Sequence, residues 1–205
     1  MSPTPARTSR AAIVTAARSI LEAEGLEAVT MATVAARVGV RPPSLYKHVR
    51  HHAALLAAIA TDAADELARV FTEAGANRDD LPEARIVALA DSYRAFARRS
   101  PRAAAIIFAD LGPGTRAPVE AGARAARPVI DAAAAIVGPA DALAAARVLT
   151  AFAYGFTTME GAGAFRLGGS VDDAFRLGVM TLVEGLQAAG RGSTQAGGAT
   201  GRTTR

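Results

Sequence analysis

No cysteine occurs among the 205 residues. That excludes disulfides and thiolate chemistry, and makes a reducing cytoplasm the expected location. Histidine is nearly as scarce: the three present, His48, His51 and His52, all lie in the first quarter of the chain. The remaining three quarters therefore lack two common catalytic bases and nucleophiles. No serine there stands in a Gly-x-Ser-x-Gly context. Gly112-Pro113-Gly114 and Gly168-Gly169 are not followed by Gly-Lys-Ser/Thr, so they read as turns rather than phosphate loops. Adjacent His51 and His52 do not share a helix face, and no metal site or cofactor is expected. No catalytic constellation remains, so the chain does not read as an enzyme. A run of about 18 strongly apolar residues is also missing, which predicts neither a membrane span nor a membrane partner. Residues 1–10 are polar and basic, unlike a signal peptide.

Strand-like alternation is rare as well, whereas alanine is abundant. Alanine forms helix well and fills volume poorly, so an all-α fold of closely packed helices is predicted. The charge is unevenly placed. Residues 1–52 carry seven basic and three acidic side chains, which is the whole formal excess of +4. The remainder holds sixteen of each sign, and the only lysine is Lys47. A basic module on a neutral body points to a polyanion at one end of the chain.

The first helix is predicted over about 9–24, with Ile13, Ala16, Ala17, Ile20 and Leu21 in one stripe, a Ser9 cap and a stop at Gly25. A second helix follows the Thr30 cap and turns Val34, Ala35 and Val38 inward. Gly39 supplies a left-handed turn, and a short third helix runs from about Pro43 to His48, held by Leu45 and Val49. Two short helices joined at a glycine, with polar and basic residues on the second, form a helix-turn-helix, and its partner is double-stranded DNA. A long fourth helix begins near His52, and the polar break at 75–80 is the expected domain seam. Further helices are predicted at about 82–99, 102–109, 116–137, 140–163 and 172–189. The domains read as 1–52 (DNA-binding), 53–189 (helical body) and 190–205, a Gly/Ser/Thr/Arg tail expected to be disordered. Asp79-Asp80 and Asp172-Asp173 read as acids favouring helix starts.

Across about residues 9–57 the chain resembles the tetracycline-repressor (TetR) family of bacterial transcription regulators. The resemblance rests on Glu24-Gly25-Leu26, Val29-Thr30-Met31, Val34-Ala35-Ala36-Arg37-Val38-Gly39-Val40, Ser44-Leu45-Tyr46-Lys47-His48-Val49 and Leu55-Leu56. Phe152-Ala153-Tyr154-Gly155-Phe156 looks like the Trp-His-Gly element of one C-terminal subtype, with Ala153 and Tyr154 in place of Trp-His. The resemblance implies about nine helices: a three-helix head, a linking helix 4 and a body that binds a ligand and dimerises. Its last two long helices would pair with their copies in a four-helix bundle. Small Ala144, Ala151, Gly155, Ala162 and Gly163 would allow close approach, and Val148, Phe152, Phe175, Val179, Leu182, Val183 and Leu186 would form the seam.

In such a head, Ser44, Tyr46, Lys47 and His48 would meet bases and phosphates from the major groove, with Pro43 at the helix start and Arg41 at the turn. Thr30 and Thr33 would face a phosphate at the start of helix 2. His52 stands where many relatives have lysine, and its neutral imidazole would donate one hydrogen bond. Pro42 replaces a residue that is often polar in relatives, so one direct contact is missing. In the body, Tyr93, Phe96, Phe108, Phe152, Tyr154, Phe156 and Met159 form an apolar set suited to a small apolar effector, with Arg94, Asp110 and Glu160 able to orient it. The function expected is a homodimeric repressor released from a palindromic operator by that effector. The alternative is a DNA-binding protein without an effector, whose body serves dimerisation or a protein partner.

Overall fold

Caps and turn chemistry set the first helices. In the computed structural model, which describes residues 8–76 and 81–198, Ser9 accepts from the Ala12 N–H at 3.1 Å and starts α1 (Arg10–Glu24). Gly25, at φ 94°, ends it, and a short 3-10 turn follows at Leu26–Ala28. α2 (Met31–Arg37) opens on a reciprocal cap. Thr30 Oγ1 accepts from the Thr33 N–H and Thr33 Oγ1 from the Thr30 N–H. It closes at Gly39, φ 73°, where the Val40 N–H returns to the Ala35 carbonyl at 2.9 Å and the Gly39 N–H to Ala36 at 3.2 Å. This paired closure needs a left-handed residue, and glycine adopts that conformation without steric cost.

α3 (Pro42–Leu45) is four residues long and gives way to a turn at 46–48, shorter than the predicted helix. Pro42 and Pro43 fill its first two positions, where a missing N–H forfeits no intrahelical bond. Packing holds it. Leu45 is fully buried and Val49 nearly so, and burial of the leucine contributes roughly 1.5–3 kcal/mol. The helices that follow are α4 (His52–Ala74), α5 (Pro82–Arg99), α6 (Pro101–Phe108), α7 (Val119–Val137), α8 (Ala142–Gly161) and α9 (Val171–Gly198). That makes nine α-helices and no strand among the described residues, as the composition predicted.

Packing divides the chain into two units. One comprises residues up to Glu66 together with Arg99–Gly122, and the other Leu67–Arg98 together with residues from Ala123 onward. The division thus falls within α4 rather than at the break near 75–80, part of which lies outside the described residues. Grouping follows side-chain packing, not chain punctuation. In the first unit the core is Ile13, Ala17, Ile20, Val34, Leu45 and Ile59. Arg18 bridges to Asp62 at 2.9 Å and Glu66 at 2.8 Å, and Arg99 reaches Glu66 at 3.1 Å. Burial pushes the Glu66 carboxyl up, but these arginines outweigh it and leave it below its ordinary value. Glu22 caps α6, accepting from the Ala103 N–H at 2.6 Å, and its carbonyl accepts from Arg102.

In the second unit α9 runs nine residues beyond the predicted boundary at 189, to Gly198. The region expected to be a disordered tail therefore begins as helix, and only 199–205 lie outside the described residues. At its first added residue a Cβ on Gly190 would collide with the Ile136 carbonyl, so glycine lets α9 lie directly on α7 there. The predicted dimer seam is also partly internal. Phe175, Val179 and Val183 face the protomer's own core, whereas Leu143, Val148, Met159, Leu177 and Met180 face outward. The helical phase puts 175, 179 and 183 on one face of α9 and 177 and 180 on the other. By length and composition alone α8 is long and apolar enough to cross a bilayer, with a mean hydropathy of 1.2, although Arg147 and Glu160 interrupt it. Alanine supplies much of that value, and α8 packs on α9.

Candidate nucleic-acid interface and effector cavity

The helix-turn-helix is built from the outside in. Leu45 and Val49 anchor its second arm, and every candidate between and before them (Arg41, Pro43, Ser44, Tyr46, Lys47 and His48) is exposed. Tyr46 is 51% exposed and stands clear of the core. The row therefore offers a guanidinium, an ammonium, an imidazole, a phenol and a hydroxyl on one short segment, which suits phosphates and base edges.

Two expected contacts look different in detail. Thr30 and Thr33 spend their hydroxyls locally. Thr33 donates to the Ala28 carbonyl at 2.6 Å, and the two hydroxyls lie 2.9 Å apart. Their work is to fix the start of α2, and a phosphate would have to displace one of these bonds. His52 is likewise committed: Nε2 donates to the Val29 carbonyl at 2.6 Å. A neutral ring then has only Nδ1 left, which can accept but not donate, so the expected bond from neutral imidazole to phosphate does not form. His51 takes the opposite arrangement. Its Nδ1 accepts from the Ala54 N–H at 3.1 Å at the start of α4, which leaves Nε2–H as a donor. The sequence reading assigned His51 no role. Its position just before a predicted helix start was the signal for a cap.

The aromatic set of the body is divided between the two units. Tyr93 and Phe96 are buried, Met159 is 50% exposed, and Phe108 belongs to the first unit, 40% exposed. Phe152, Phe156 and Phe175 pack with ring centroids 5.1–5.7 Å apart, and Phe165 meets Phe156 at 4.8 Å. The Arg94 guanidinium lies 4.6 Å over Phe175. Arg94 also binds Glu160 through two bonds of 3.0 and 2.6 Å, and Arg98 and Asp172 join them. The Arg94 hydrogen bonds above all hold the Glu160 carboxyl at about 2. These rings and charges satisfy one another. Asp110 pairs instead with Arg116 at 3.0 Å in the first unit. At the start of α9 it is Ser170 that accepts from the Asp173 N–H, while Asp172 turns to the arginines. Asp79-Asp80 lie outside the described residues.

A cavity of about 740 Å³ opens elsewhere in the second unit, and none of the predicted ligand residues lines it. Phe71, Thr72 and Gly75 contribute from the end of α4, and Arg85 from α5. α7 contributes Arg124, Arg127, Pro128 and Asp131. Phe71 rests on Tyr93, centroids 6.4 Å apart, and burial pushes the Tyr93 phenol up to about 12 while Thr157 draws it back. The sequence did carry a signal for this wall: positions 124, 127 and 131 share one face of a helix, with a proline inside it.

Residues 13–59 match the family described as bacterial regulatory proteins, tetR family, and residues 86–182 match a tetracyclin repressor-like C-terminal domain. An uncharacterized HTH-type transcriptional regulator of Mycobacterium tuberculosis (strain ATCC 25618 / H37Rv) is 32% identical over 99 residues. That match covers 47% of this chain and 44% of the relative, less than half of each. Among solved structures, a protein of unknown function from Rhodococcus sp. RHA1 gives a TM-score of 0.73 at 28% identity, over 91% of this chain and 100% of that one. BioQ in complex with its natural double-stranded DNA operator gives 0.67 at 27% identity, over 89% and 99%.

Proposed function

We propose that this chain, which belongs to the TetR family of bacterial transcription regulators, is a homodimeric repressor that leaves a palindromic operator when a small molecule fills its second unit. Family membership makes it a DNA-binding regulator and not an enzyme. The observation that carries the reading is the exposed row Arg41, Pro43, Ser44, Tyr46, Lys47 and His48 over the buried Leu45 and Val49. In this reading Ser44 and Lys47 meet base edges and Arg41, Tyr46, His48 and His51 meet phosphates, with the module's positive charge drawing the duplex in. BioQ, at 27% identity, binds its own operator with the same fold. Such a protein works in the cytoplasm, where the chromosome is.

A second copy of this chain is the proposed occupant of the outward faces of α8 and α9. Leu143, Val148, Met159, Leu177 and Met180 would be the apolar contacts, and exposed Ala144 and Ala151 would allow close approach. A ligand that binds one dimer conformation better than the other would then shift the spacing of the heads. The test is titration of the purified protein onto the DNA upstream of its own gene, with the mass measured in solution. A dimer giving a two-fold symmetric footprint is expected. A monomer, or no preference for any upstream segment over random DNA, overturns the reading.

A further inference from the structure

Arg85 differs from Arg94, the buried arginine of the second unit. Arg94 spends Nε and Nη2 on Glu160 and lies over two rings. The Arg85 Nε is fully buried and has no hydrogen-bond partner among the described residues. A buried donor left unpaired costs on the order of 1–3 kcal/mol, more when the group is charged. This donor belongs to a residue lining the 740 Å³ cavity, and Arg124 and Arg127 line the same space. Among the described residues one carboxylate, Asp131, lines the same space. It sits 3.7 Å from the Arg127 Nε, and both side chains are well exposed, so that pair neutralises little of the Arg127 charge. Opposite the charges, Phe71 and Pro128 supply apolar wall. Pro128 also has no N–H for the Arg124 carbonyl one turn before it, so α7 departs from regular hydrogen bonding at the cavity.

We propose that this cavity binds a small amphiphile with an anionic head, carboxylate or phosphate, gripped by Arg85, Arg124 and Arg127, with its apolar part against Phe71 and Pro128. Planar guanidinium forks match both heads in a bidentate manner. The volume is that of a small-molecule site. An uncharged apolar effector, as the aromatic residues suggested, would offer the guanidiniums of the cavity wall no anionic acceptor. A cation would meet the like charges of Arg85 and Arg127. The inference rests on the effector role above only for its consequence at DNA.

The test uses the full chain, with decanoate, decyl phosphate, decanol and decyltrimethylammonium as probes below their micelle concentrations. Calorimetric titration and thermal denaturation give the readouts. At least one anion binds saturably and raises the melting temperature, and decanol binds at least about tenfold more weakly, the difference one charge-assisted fork makes. Arg85→Met weakens anion binding by a similar factor. Arg127→Gln, at an exposed position that does not endanger folding, weakens it by at least about threefold. Preference between the two anions distinguishes a carboxylate head from a phosphate, and either supports the site. Equal binding of decanol, tighter binding of the cation, or unchanged affinity in Arg127→Gln overturns it. Release of DNA is read separately: an anion that binds and leaves the DNA complex intact upholds the site and removes only the effector role.

Discussion

Lys47 and Glu160 have opposite duties, and each allows a sharp measurement. Lys47 is exposed on the turn after α3 and reaches outward. If part of its contact is to a base, Lys47→Ala costs about 1–3 kcal/mol on the cognate operator. The loss on random DNA is smaller, and competition binding on both sequences reads the difference. Equal losses would reduce the residue to a phosphate anchor. Glu160 faces inward, and its carboxyl is held at about 2, against 4.5 ordinarily. The native state therefore takes up its proton less readily than the unfolded chain. The contribution of this group is complete above 4.5 and is lost as pH falls toward 2. Glu160→Gln should flatten the acid limb of a stability profile over that window and lower stability at neutral pH by roughly 3 kcal/mol, since Arg94 would be left buried with a weaker partner.

At the scale of elements, the helices were largely legible and their ends less so. Ser9, Thr30, Gly25 and Gly39 announced the bounds of α1 and α2 because caps are local chemistry, decided within four residues. The end of α9 was not legible. Its sequence after 189 is polar and glycine-rich, and the close approach of Gly190 to the Ile136 carbonyl on α7 is a distant contact that no local rule reports. Gly190→Ala checks this: overpacking of about one methyl against backbone costs roughly 1–3 kcal/mol by denaturant unfolding. A neutral result would mean that α9 does not press on Ile136. The phase of α8 and α9 was half legible. Apolar positions were found, but which stripe faces the protomer depends on where Phe152 and Arg94 stand.

For the whole molecule, the basic quarter of the chain and the neutral remainder predict behaviour that no single contact sets. The apparent affinity for DNA should fall steeply and linearly on a log–log plot against salt, because each neutralised phosphate releases counterion. A slope near zero between about 50 and 200 mM salt would contradict a phosphate-dominated interface. The head was readable from sequence because its residues are contiguous and each exposed one has a distinctive type. The cavity was not. Arg85 and Arg124 lie on different helices, and arginines scattered along a neutral body look like solvated faces until packing gathers them. The aromatic residues misled for the matching reason, since rings at helical spacing that fill one another's space leave none for a guest.

The two prolines that open α3 carry one more consequence. They remove donors, but they also fix two backbone angles before DNA arrives. A recognition segment already ordered loses less conformational entropy on docking, so fewer direct bonds can yield the same free energy. Compared with a Pro42→Ser variant, calorimetry on the natural chain should find a smaller favourable enthalpy and a smaller entropic penalty, with affinity changed less than either.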